Sequence, residues 1–160
     1  MTRRIIGISI TAALWLGLTA FVFANSLQSG ELSGAQSGWW ASFLRPLLDP
    51  NHRVPDAEFH ALVRKLAHMA EFCALAVPLG CTTVQLGAMQ GRRYICLPLL
   101  VALCTALVDE FLQTFTSGRA GQIGDVLIDS AGALIGFGAV AVGCLVWKAL
   151  RKRREKLCEN

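Results

Sequence analysis

Charge is scarce in this chain. Of its 160 residues 16% are Asp, Glu, Lys or Arg and 54% are hydrophobic, a balance far outside soluble usage that points to an integral membrane protein. Ligand spacings are missing too. The six cysteines, Cys73, Cys81, Cys96, Cys104, Cys144 and Cys158, form no C-x-x-C pair and sit mostly inside apolar runs. They read as small packing residues, not as a disulfide framework or a metal site. There is no obvious nucleophile and no recognised hydrolase or zinc spacing. The net charge is +4, but the basic residues gather at the ends of apolar runs. They therefore report membrane topology, and no nucleic-acid partner is expected.

The long apolar runs define the architecture. Ile5 to Ala24 carries no charge over 20 residues, enough for a helix of roughly 30 Å that crosses a bilayer. A cleaved signal peptide is the alternative, disfavoured because its apolar core is shorter and ends in a small-x-small site. Further spans are expected at 66–86, 94–115 and 123–147, with a basic tail over 148–160. The stretch 25–65 forms the first connection. Its beginning, NSLQSGELSGAQSG, reads as a surface loop. Trp39, Trp40, Phe43, Leu44, Leu47 and Leu48 recur at helical spacing and predict a short interfacial helix, preferred over an inserted hairpin because Arg45 and Pro46 interrupt the run. Pro55 and Asp56 start an amphipathic lead-in to the second span. The fold class is an all-α polytopic membrane protein: four transmembrane helices with an interfacial helix in the first outer loop, as one domain over 1–160.

Sidedness follows from lysine and arginine. In a four-span arrangement ten basic residues, Arg3, Arg4, Arg92, Arg93 and six in the tail, fall on one side. Five, Arg45, Arg53, Arg64, Lys65 and Arg119, fall on the other. The excess predicts that both termini are cytoplasmic. The first loop, the start of the second span, the end of the third and the start of the fourth then lie at the outer face.

Polar residues concentrate at that face. Arg64, His68 and Glu71 share one helix face at i, i+4 and i+7; Asp109 and Gln113 share another, with Glu110 beside them; Asp125 and Asp129 share a third, and Arg119 lies in the turn between the last two spans. An ionised side chain at mid-bilayer depth costs roughly 2.5–3.5 kcal/mol, so such a cluster is a candidate site. From helical rise, Glu71, Asp109, Glu110 and Asp129 lie roughly 7–10 Å inside the outer boundary, on three helices, and can meet at one depth. Arg64, Lys65, His68 and Arg119 are the candidates for compensating charge. Gly132 and Gly136 lie on a small-residue face suited to packing inside the bundle, with dimerisation the lesser alternative.

These residues carry a resemblance. RKLAHMAEF at Arg64 to Phe72, DEFLQ at Asp109 to Gln113, GRAGQIGDVLIDSAG at Gly118 to Gly132 and the upstream NSLQS together resemble the VanZ family of bacterial membrane proteins. That family is named for a member associated with reduced susceptibility to teicoplanin, a glycopeptide antibiotic acting on cell-wall precursors outside the cytoplasmic membrane. The resemblance implies a multi-pass protein of the bacterial cytoplasmic membrane. It carries no biochemical mechanism with it.

Three uses of the cluster stand side by side. In the leading one, Arg64, His68, Glu71, Asp109, Glu110, Gln113, Arg119, Asp125 and Asp129 bind an anionic lipid-linked cell-wall precursor or another amphiphile, with no metal or cofactor assigned. In the second, crowded acids with His68 form an intramembrane acid/base or metal-dependent enzyme acting on a lipid headgroup. In the third, ion pairs simply lock the bundle.

Overall fold

A computed structural model describes residues 2–118 and 121–158, the latter without the side chain of Cys158. Five α-helices follow in order: α1 (Thr2–Ser26), α2 (Gly30–Leu48), α3 (Asp56–Gln90), α4 (Cys96–Gln113) and α5 (Ile123–Cys158). No strand occurs among the described residues. Helices α1, α3, α4 and α5 are long and apolar enough to cross a membrane. The protein is an all-α membrane bundle in which α2 lies in the first connection and packs on α3.

Several boundaries differ from those expected, each for a local reason. The Ser/Gly-rich stretch read as a loop is helical from Gly30. Ser29 caps it, its Oγ accepting the Leu32 N–H at 3.3 Å, and Glu31 complements the positive end of the helix. Contact with α3 then supplies the stability that the composition lacks. Helix α2 also continues through Pro46 to Leu48. The lead-in and the second span form one helix of 35 residues, about 50 Å long and so longer than a bilayer core is thick. The third span is shorter than expected, 96–113 in place of 94–115. Its C-terminal end tightens where the Thr114, Phe115 and Thr116 N–H groups bond three residues back. The basic tail simply continues α5.

The bundle centres on α3, whose contact with α5 is the most extensive. Val22, Phe72, Leu75, Ala106 and Val126 form one core cluster, and Ala76, Leu79, Ala102 and Ala133 continue it. Leu107, Phe111, Leu134, Ile135 and Val142 are exposed and available to lipid. Because lipid tails are as apolar as leucine, helix association here depends on close packing more than on escape from water. Gly132 and Gly136 make that possible. A Cβ at Gly132 would collide with the Met69 carbonyl, and one at Gly136 with the Cys73 carbonyl. The expectation of packing within the bundle therefore holds for these two, whereas Gly143 has open space around it.

The corner between α2 and α3 holds a separate charged cluster. Arg45 is buried; its Nη2 donates to the Val54 carbonyl at 2.5 Å and lies 3.4 Å from Asp49, and its Nη1 lies 3.2 Å from Asp56. The guanidinium also sits 4.6 Å from the centre of the Phe59 ring. Asp49 accepts the Arg53 and Val54 N–H groups at 2.9 and 3.0 Å. The Val54 bond, then the Arg53 bond, with the nearby Arg45 charge, hold its carboxyl below the ordinary value of 3.8.

Candidate functional site

Around the middle of α3, four elements converge. Gly30 N–H donates to the Ser117 carbonyl at 3.0 Å, and Thr116 Oγ1 donates to the Ser26 carbonyl at 3.2 Å. The end of α1, the start of α2 and the turn after α4 are thereby tied together. Asn25 Nδ2 donates to Glu71 at 3.0 Å, bringing in α3.

Asp109 is fully buried. Its Oδ1 accepts from Ser26 Oγ at 2.7 Å and its Oδ2 from Gln113 Nε2 at 3.1 Å, one turn along α4. Ser26 is itself buried and also lies 3.5 Å from Gln113 Nε2. These bonds fix the orientation of the Asp109 carboxyl from two sides. Glu110 turns to the α4–α5 connection, where it accepts the Gln122 N–H. Asp125, in the first turn of α5, faces Lys65 Nζ at 3.9 Å. His68 Nδ1 lies 3.9 Å from Glu71.

Asp129 is different. It is 1% exposed, and neither of its carboxylate oxygens has a hydrogen-bond partner among the described residues. One donor atom each from His68, Asp109 and Asp129 lies within 4.8 Å of the others, so α3, α4 and α5 each send one residue to a common point.

Next to this point is a half-open cavity of about 600 Å³ between α1, α2 and α3. His68 and Glu71 line it, joined by Arg64, Asn25 and Gln28, while Phe21, Trp39 and Trp40 supply aromatic surface. Arg64 is exposed in this setting. The candidate residues thus divide. His68, Asp109 and Asp129 come together; Glu71 joins at His68 and Gln113 at Asp109; Arg64 lies on the cavity side; Asp125 faces Lys65 and Glu110 accepts the Gln122 N–H. Arg119 lies outside the described residues.

A family model described as VanZ/LLP1 matches residues 10–147. The chain belongs to the VanZ family. The match reaches from within α1 through most of α5, taking in every element of the site, and it leaves out the basic end of α5. Comparison with curated proteins and with solved structures finds no match. Four membrane-length helices together with this membership make the chain a VanZ-like bacterial membrane protein.

Two site residues were not singled out as such from the sequence, although both belong to the NSLQS stretch. Asn25 and Ser26 reach Glu71 and Asp109 from α1. Their signal is positional: two amides or hydroxyls at the end of an apolar run that also ends near buried acids on other helices. The five cysteines with described side chains are free thiols; Cys73, Cys81 and Cys144 are partly buried, and Cys96 and Cys104 are exposed.

Proposed function

We propose that this VanZ-family protein binds the polar head of an anionic amphiphile, such as a lipid-linked cell-wall precursor, at the outer leaflet of the bacterial cytoplasmic membrane. The observation that carries the reading is the cavity of about 600 Å³, lined by both aromatic and polar side chains. Trp39 and Trp40 suit the boundary between hydrocarbon and headgroups. The exposed guanidinium of Arg64 suits a phosphate or carboxylate, which its planar fork grips through two parallel bonds. Asn25, Gln28 and Glu71 offer hydrogen bonds to sugar or amide groups. The orientation with both termini cytoplasmic rests on the ten-to-five bias of basic residues and puts this cavity outward. Arg119 belongs to the proposal as a second anion contact on sequence grounds alone.

The test is binding of a polyprenyl phosphate to the detergent-purified chain, with phosphatidylcholine as the zwitterionic control. Arg64→Ala is expected to weaken polyprenyl phosphate binding about tenfold, the scale of one lost charge-assisted bond, and to leave phosphatidylcholine unaffected. Equal phosphate-lipid affinity in the wild type and the variant sinks the reading. Where the amphiphile is a cell-wall precursor, expression changes teicoplanin susceptibility and Arg64→Ala abolishes the change.

A further inference from the structure

We propose that His68, Asp109 and Asp129 bind a divalent transition-metal ion. The first ground is convergence: three residues from three helices bring one donor atom each within 4.8 Å of the others, so that modest inward movement would bring them to the roughly 3.3 Å between neighbouring ligands of a tetrahedral ion. The second is independent of the clustering. Asp129 is 1% exposed and both its oxygens lack a hydrogen-bond partner among the described residues, although buried carboxylates are ordinarily paired, hydrogen-bonded or bound to metal.

The surroundings of Asp109 fit a ligand held by its neighbours. Ser26 and Gln113 each donate to one of its oxygens, and such bonds commonly orient a ligating carboxylate. One imidazole nitrogen with two carboxylates favours zinc or manganese over magnesium or calcium, which prefer all-oxygen sites. Three protein donors leave at least one coordination position open. His68 also lines the cavity, so the ion lies at its edge. There it adds positive charge beside two buried acids.

This assignment does not depend on headgroup binding and is tested without lipid. The full chain, stripped with a chelator in detergent, is titrated with Zn²⁺ and separately with Mn²⁺, and retained metal is measured after gel filtration. Co²⁺ serves as an optical probe of ligand geometry. One ion per chain is expected in the wild type. Asp129→Asn and His68→Gln are each expected to lower affinity at least tenfold, and Ser26→Ala, which removes a positioning residue, by about 10–100-fold. Substoichiometric retention of all three ions by the wild type overturns the proposal. So does a folded Asp129→Asn that binds like the wild type. Should that variant fail to elute as a monodisperse species, His68→Gln decides on the same criterion. Should both fail, the wild-type stoichiometry decides, with Co²⁺ bands lacking nitrogen-ligand character counting against the site. Lipid binding with no metal would sink this site alone; metal with no lipid binding would sink only the headgroup reading.

Discussion

At the α2–α3 corner, Asp49 accepts backbone N–H groups from Arg53 and Val54 and faces Arg45, whereas at the junction of α3, α4 and α5 neither oxygen of Asp129 has a hydrogen-bond partner among the described residues. Both carboxylates are buried. In the corner, a buried cation and a turn of backbone close around the acid, and the result is a staple between two helices. At the junction, the described neighbours leave the Asp129 carboxyl without a hydrogen bond. A buried acid that is satisfied locally contributes to holding a fold; one without such partners is a candidate for binding.

The contrast can be broken at its strongest point first. Replacing Arg45 with Ala removes the guanidinium from Asp49, Asp56, the Val54 carbonyl and the Phe59 ring together, and is expected to lower stability by about 3 kcal/mol, read from denaturant unfolding in detergent. A much smaller effect is expected at the junction. In chelator-treated protein, Asp129→Asn is expected to change stability by less than about 1 kcal/mol, because it removes no hydrogen bond between described residues. A substantial loss in the same unfolding assay would make the two clusters alike and abolish the distinction.

The smallest effect concerns acid. The Asp49 carboxyl is held below its ordinary value of 3.8, so the folded protein gains stability from the ionised form. That gain is fully present above about pH 4 and is lost as pH falls through the depressed value. The melting temperature of the wild type is expected to drop over that interval more than that of Asp49→Asn, which has no carboxyl to titrate. Parallel curves for the two proteins would deny the corner its role.

The fold was largely legible in the sequence because hydrocarbon imposes length and polarity on every span. Runs such as Ile5 to Ala24 admit few structures. The start of α2 was not legible: Gly30 to Gly38 has a loop's composition, and only the Ser29 cap and docking on α3 make it helical. Helical rise and face periodicity brought Glu71, Asp109 and Asp129 to one depth. They could not tell which of those acids would find partners. Asp125 meets Lys65 and Glu110 meets the Gln122 N–H, and Asn25 and Ser26 enter through the register of α1 against α3 and α4. Such details depend on contacts between helices distant in sequence, which no periodicity encodes. Arg45 is the clearest instance. In the sequence it interrupts an apolar run, and in the fold it is the centre of a buried cluster.

Gly132 of α5 has a consequence beyond close packing. Gly132 lies one helical turn after Asp129, and the carbonyl that it admits belongs to Met69, the neighbour of His68. The backbone of α5 therefore serves as a gauge block against α3, setting the gap between imidazole and carboxylate without touching either. A single methyl group at position 132 would recalibrate that gap while every donor atom stayed chemically unchanged.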